Sequence, residues 1–123
     1  MLLSRMLFPL CFGLSISLGA DVTFQAGNKI ITASQNDIID AAASPDQQEL
    51  YTVHIQFSYD FGQKIFKFTS KQMGKLLIIT VAGQPIGKPQ KIEFNFTSRA
   101  HLTGFKKSEA EFVVNHIKAL KQQ

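Results

Sequence analysis

The stretch YTVHIQFSYDFGQKIFKFTSKQMGKLLIITV, residues 51–81, sets the architecture because its hydrophobic period changes twice. Residues 51–58 alternate apolar and polar side chains, which predicts a β-strand with one buried face. Apolar residues then recur near helical spacing, which predicts an amphipathic helix capped by Ser58 or Asp60. The continuous apolar run over 76–81 predicts a central strand that is covered on both faces.

Two shorter strand patterns precede this stretch. They cover residues 21–26 and 29–33, and the dipeptide Gly27-Asn28 between them is a strong turn signal. Residues 34–37 have the pattern of a capping box. We therefore expect a short helix after them that ends before Pro45.

The residues after the central stretch predict a turn-rich connection, two strands and a second helix. A connection rich in turn residues covers 83–89, a strand pattern follows over 92–96, and a short strand stops at Gly104. A second capping box at 108–111 precedes an apolar stripe with helical spacing. No linker or repeat divides residues 21–123, so we predict a single small α+β domain. It would be mostly antiparallel sheet, with two main helices packed on one face.

The first twenty residues, MLLSRMLFPLCFGLSISLGA, have the features of a signal peptide. Arg5 precedes an apolar run, and small residues precede a cleavage point near residue 20. The apolar run is shorter than the roughly 20 residues that span a bilayer, so we expect an exported chain with no membrane span after cleavage. The location would be periplasmic if the source is a Gram-negative bacterium. Cys11 is the only cysteine and would leave with the signal, so no disulfide or thiolate site is expected.

The order of strand, helix, strand, Gly/Pro turn, strand and helix, from VHIQFSYDFGQKIFKFTSKQMGKLLIITVAGQPIGKPQ to HLTGFKKSEAEFVVNHIKAL, resembles a known family. It is similar to the head subdomain of the first periplasmic domain of SecD/SecDF protein-export factors. The matching positions are Thr69, Gly74, Lys75, Gly83, Pro89, Leu102-Thr103-Gly104 and Glu109-Ala110. Ala82 departs from the family's usual Asp, and Gly87-Lys88 from its usual small pair. The resemblance implies a SecD-head-like fold and, at most, the polypeptide-binding part of the family's role.

Chemical motifs are sparse in the sequence. The three histidines, His54, His101 and His116, lack a local ligand spacing, so no metal site is predicted. There is no G-x-S-x-G elbow and no phosphate-binding glycine loop, which predicts a protein that is not an enzyme and has no cofactor. The net charge of +4 comes from scattered lysines rather than one dense patch, so nucleic acid is not an expected partner.

These observations predict an exported, non-enzymatic binding module that engages polypeptide or an envelope protein and is auxiliary to protein export. The alternative is an inhibitor or immunity-type protein that binds one secreted effector. The strand over 51–58 or that over 92–96 would accept an extended peptide if it lies at a sheet edge. The candidate partner-binding residues are basic or aromatic side chains expected at the surface: Lys64, Phe66, Lys67, Lys71, Lys75 and Phe105.

Overall fold

The structure is a computed structural model that describes residues 22–121. The predicted signal peptide at 1–20, with Cys11, lies outside the described residues. Strands and helices alternate within the described part, which confirms the predicted α+β class. The elements are β1 (Val22–Ala26), β2 (Lys29–Ala33), β3 (Ile38–Pro45), β4 (Tyr51–Phe57), α1 (Tyr59–Lys71), β5 (Leu76–Val81), β6 (Gln84–Lys91), β7 (Arg99–Phe105) and α2 (Lys107–Lys121).

The strands form two antiparallel sheets. One has four strands in the order β2-β1-β5-β6, and the other has three in the order β3-β4-β7. The antiparallel pairing agrees with the sequence-based prediction, whereas the division into two sheets was not predicted. Helix α2 lies against β3 and β4, and α1 approaches β2.

One hydrophobic core joins the two sheets and both helices. The rings of Phe24 in β1 and Phe57 in β4 meet edge to face, with their centroids 5.9 Å apart. Phe57 also contacts Phe61 of α1, at 5.0 Å between centroids. All three rings are fully buried, and burying such a side chain stabilises the fold by about 1.5–3 kcal/mol. The predicted stripe of α2 is also buried, at Ala110, Val113, Val114, Ile117 and Leu120.

Several local predictions are confirmed. The turn between β1 and β2 contains Gly27, whose φ of +61° a residue with a Cβ adopts less readily. Ser58 caps α1, because its Oγ accepts a hydrogen bond from the Phe61 N–H at 3.2 Å. The strand predicted over 51–58 is β4, and its buried residues alternate as expected.

The short helix predicted before Pro45 is absent from the structure. Asp37 does accept hydrogen bonds from the Ser34 N–H, at 2.9 Å, and from its Oγ, at 3.1 Å. This box closes only a single 3-10 turn, and the chain continues as strand β3. The buried Ile38 lies opposite Phe57 in the ladder with β4, so tertiary pairing overrides the local helix signal.

Three predictions on the second half of the chain are also wrong. The connection expected over 83–89 is mostly strand β6, which tolerates Pro85 and Pro89 because it lies at the edge of its sheet. The strand expected over 92–96 is irregular, with Phe94 78% exposed. Strand β5 is central, because it pairs with β1 and β6, but only one of its faces is buried. The prediction that both faces are covered is therefore wrong.

Candidate functional site

An open groove lies between helix α1 and strand β2, and most of the basic candidate residues line it. Lys64, Lys67 and Lys71 are spaced three and four residues apart and so share one exposed side of α1. With residues from β2 and the end of α1 they line a cavity of about 320 Å³. We call this the lysine groove, and its lining residues are Lys29, Ile30, Lys64, Lys67, Phe68, Lys71 and Gln72.

The lysine groove contains unsatisfied polar groups. Within residues 22–121, its four lysines form no ion pair with a carboxylate. Gln72 is only 8% exposed, yet its buried Oε1 has no hydrogen-bond partner in this part of the chain. A buried acceptor without a partner costs about 1–3 kcal/mol, but this atom has almost no accessible surface, so a bound molecule does not reach it in this conformation. The four lysines match the groove to a ligand that carries negative charge.

Strand β2 presents a free backbone edge beside the lysine groove. Among residues 22–121, it is the first strand of its sheet and pairs only with β1. The two-residue turn makes Ala26 and Lys29 a hydrogen-bonded pair, so the alternate residues Ile30 and Thr32 direct their N–H and C=O groups away from β1. Both residues are exposed, and Ile30 is 61% exposed. An unpaired edge of this kind can accept another strand.

A second cavity, of about 330 Å³, lies on the neighbouring side of α1. We call it the aromatic pocket, and it is lined by Tyr59, Gly62, Gln63, Phe66, Lys67, Thr97 and Ser98. A Cβ on Gly62 would lie 3.1 Å from the Ser98 backbone, so the absence of a side chain lets the helix approach this loop. Lys67 lines both cavities, which makes the two a continuous surface.

The loop of the aromatic pocket is held to α1 by Thr69, one of the positions that match the SecD pattern. Its side chain is fully buried, and its Oγ1 donates to the Ile65 carbonyl at 2.9 Å. The same oxygen accepts from the Phe96 N–H at 3.0 Å. One hydroxyl thus ties the loop after Lys91 to the helix that carries the candidate residues.

The structure brings five of the six candidate residues to one side of the molecule. Lys64, Phe66, Lys67 and Lys71 lie exposed on α1, and Lys75 lies beside the Gly27 turn. Phe105 is the exception, and its prediction as a surface contact is wrong. It is 1% exposed at the end of β7 and belongs to the core.

Residue 87 explains how the Phe105 ring is covered. A Cβ on Gly87, whose φ is +74°, would lie only 2.5 Å from the Phe105 Cε1. The bare backbone of β6 therefore packs directly on the ring, which no periodicity in the sequence could reveal.

The predicted peptide-accepting edges are also wrong. Strand β4, over 51–57, pairs with β3 and β7 on its two sides and has no free edge. Residues 92–96 form no strand. The terminal strand of the four-stranded sheet nearest α1 is β2, and its position at the edge was not predicted because the sequence does not show which strands become neighbours.

The outer face of the three-stranded sheet contains a second cluster that sequence analysis missed. His54 of β4 and His101 of β7 are directly opposite in the ladder, and their Nδ1 atoms are 2.6 Å apart. The Oγ of Ser44 lies 2.9 Å from the other ring nitrogen of His54, Nε2. Both histidines occupy polar positions of their strands, but only the strand register shows that they meet.

His116 is separate from this pair. It lies on α2, where its ring stacks on Phe112 at 6.2 Å between centroids. Within the part of the chain that the structure describes, no three His, Cys, Asp or Glu side chains converge as metal ligands. Of the helices between residues 22 and 121, none is long and apolar enough to cross a membrane.

Comparison with known proteins relates this fold to SecDF. No protein-family model and no curated protein sequence matches the chain. A crystal structure of SecDF in its super-membrane-facing form matches with a TM-score of 0.56 and 25% identity, over 74% of this chain and 12% of that chain. A structure of the membrane component SecDF that enhances protein export matches with a TM-score of 0.56 and 24% identity, over 74% of this chain and 40% of that chain.

These two matches confirm the resemblance to SecDF that the sequence predicted. The chain adopts a fold consistent with a SecD-like periplasmic subdomain. It spans less than half of the length of either SecDF chain.

Proposed function

We propose that this chain is an exported, non-enzymatic module that binds polypeptide and is auxiliary to protein export. The bound segment would lie in the lysine groove, extended along the free edge of β2. Similarity to SecDF, a component that enhances protein export, supports the export part of the proposal. The observation that carries the binding part is the edge of β2, which has no strand partner within residues 22–121, beside lysines that lack ion pairs in the same part of the chain.

Backbone hydrogen bonds between the bound segment and β2 would supply affinity whatever the amino-acid sequence of the segment. An added strand exchanges hydrogen bonds with the outward-facing groups of Ile30 and Thr32, which every polypeptide can make. Carboxylates of the segment pair with Lys64, Lys67 and Lys71, so acidic stretches are bound best. Apolar side chains of the segment continue toward Phe66, which is 44% exposed.

A catalytic role for the histidine cluster is the other function to consider. The hydrogen-bonded series Ser44, His54 and His101 resembles a nucleophile, a base and an orienting group. Hydrolysis would also need donors aimed at the developing oxyanion. Strand β4 is paired on both sides, so its backbone N–H groups are used in the ladders. The cavity beside His54 is open, and Ser44 is not among the residues that line it. This favours a binding role over catalysis.

The test is fluorescence anisotropy of the purified chain with short labelled peptides. An acidic probe alternates Val and Glu, and a basic probe of the same length alternates Val and Lys. We compare Thr32→Pro, which removes an outward N–H but no ladder bond, with Thr32→Val, which keeps that N–H. One lost hydrogen bond, at about 0.5–1.5 kcal/mol, predicts a loss of affinity of roughly 2- to 10-fold in Thr32→Pro alone.

Equal affinities for the Thr32→Pro and Thr32→Val variants would show that edge pairing is wrong. Equal affinities for the acidic and basic probes would contradict the role of the lysines. If neither probe binds while one exported protein is captured in a tight 1:1 complex, the inhibitor or immunity-type alternative replaces this proposal.

A further inference from the structure

The rings of His54 and His101 place two imidazole nitrogens next to each other at the surface of the three-stranded sheet. At 2.6 Å between the two Nδ1 atoms, one ring donates an N–H and the other accepts it. The ring centroids are 4.8 Å apart and the planes are inclined by 76°, so the rings meet edge to face rather than stacking, with their Nδ1 atoms in contact. When the ring that donates takes its Nε2–H tautomer instead, both Nδ1 lone pairs are free to bind a metal ion that prefers imidazole.

We propose that His54 and His101 form a binding site for a divalent transition-metal ion, with Cu²⁺ preferred over Ni²⁺ and Zn²⁺. Metal–imidazole bonds of about 2.0–2.1 Å place two nitrogens ~2.9 Å apart at a square-planar corner and ~3.3 Å apart at a tetrahedral one. The present separation of 2.6 Å is closer to the square-planar value. His101 is exposed at the ladder, so its ring can move by the few tenths of an ångström required.

Ser44 prepares His54 for this role. When the Nε2–H of His54 donates to the Ser44 Oγ, at 2.9 Å, the Nδ1 atom keeps its lone pair and faces His101. A hydrogen bond to the second ring nitrogen is the usual way in which proteins orient a metal-binding histidine. Ser44 is therefore a positioning residue for the metal site.

The surroundings of the pair are open and electrically balanced. A cavity of about 240 Å³ beside the rings is lined by one carboxylate, Asp40 of β3, and one guanidinium, Arg99 of β7. The Asp40 Oδ1 already accepts from the Ala41 N–H at 2.8 Å. Two protein nitrogens leave the remaining coordination positions to water, so the bound ion would be exchangeable rather than structural.

The experiment is calorimetric titration of the purified chain with CuCl₂, NiCl₂ and ZnCl₂, combined with electron paramagnetic resonance of the copper complex. We expect one equivalent of Cu²⁺ with two equatorial nitrogens, and weaker Ni²⁺ and Zn²⁺. His101→Gln should weaken Cu²⁺ binding at least roughly tenfold, and Ser44→Ala should weaken it by about tenfold through the lost orientation. His116→Gln is the matched control and should bind as the parent does.

Three results would overturn the site. They are unchanged Cu²⁺ affinity in His101→Gln, an equal loss in His116→Gln, or a copper spectrum without two coordinated nitrogens. His101 is exposed, so its variant should fold, and circular dichroism before titration separates a binding defect from an unfolded sample. The outcome is independent of the lysine groove, because the pair lies on the other sheet.

Discussion

The lysine groove and the histidine pair differ in how far apart along the chain their residues lie. The lysines of α1 fall within one helix, and helical spacing alone places Lys64, Lys67 and Lys71 side by side. The histidines are 47 positions apart and meet only because β4 and β7 pair in one register. Local spacing can be read from a sequence, whereas a contact created by register requires the structure.

The two sites nevertheless lie over the same part of the hydrophobic core, around Phe57. Phe57 ends β4, the strand of His54, and it contacts Phe61 at the start of the helix that carries the lysines. It also touches Phe24 across the sheets. The Phe57 ring therefore links the parts of the core that lie beneath the two sites.

Removal of that ring should produce the largest effect. Phe57→Ala opens a cavity in the buried core, and we expect the free energy of unfolding to fall by about 3–5 kcal/mol. Urea denaturation followed by circular dichroism measures the change. Phe94→Ala is the matched control, because Phe94 is 78% exposed, and its effect should stay within about 0.5 kcal/mol. Comparable losses in the two variants would show that Phe57 does not join the sheets.

The next effect should separate the two sites. Thr69→Val keeps the shape of the side chain but leaves the Phe96 N–H without its acceptor, which costs about 1–3 kcal/mol. Because the tied loop lines the aromatic pocket, affinity for the peptide probes should fall while Cu²⁺ affinity is unchanged. Ser70→Ala, which removes an exposed hydroxyl from the next residue, is the control for stability. A Cu²⁺ affinity that falls with Thr69→Val would mean that the two regions are coupled.

The helix caps show what a sequence can and cannot predict. Ser58 begins a helix as its pattern indicates, because the following residues have an apolar face that the core accepts. The pattern at Ser34 is equally good, yet the strand after it is paired with β4. Burial of Ile38 against Phe57 decides that case, and a local pattern contains no information on that partner.

The candidate site, like the helix caps, was predicted only where the signal is local in the sequence. The exposure of the α1 residues was predicted correctly, since an amphipathic helix identifies its own exposed side, and their role in binding stays a prediction. Phe105 was misplaced because its burial depends on Gly87, which is distant along the chain. The free edge at β2 and the pairing of the histidines were missed for the same reason: both depend on which strands become neighbours.

A comparison of two serines tests the distinction between the capping patterns. Ser58→Ala removes a cap from α1 and should lower the free energy of unfolding by about 1 kcal/mol. Ser108→Ala should have little effect, because α2 already begins at Lys107, where the Glu109 Oε1 accepts from the Lys106 N–H at 2.8 Å. Urea denaturation of both variants measures this. If Ser108→Ala lowers the free energy of unfolding more than Ser58→Ala does, the capping box that the sequence predicted at 108–111 is correct after all.

The smallest effect on stability should come from the residue that joins the two cavities. Lys67 is exposed and has no ion pair within residues 22–121, so Lys67→Gln should change the free energy of unfolding by less than about 0.5 kcal/mol. Its charge nevertheless faces both cavities, so the acidic peptide probe should bind more weakly and with a shallower salt dependence. Lys88→Gln on β6 removes the same charge away from the groove and should leave the affinity unchanged. If both variants weaken the acidic probe equally, net charge rather than the lysine groove attracts the peptide, and the position of the lysines on α1 has no role.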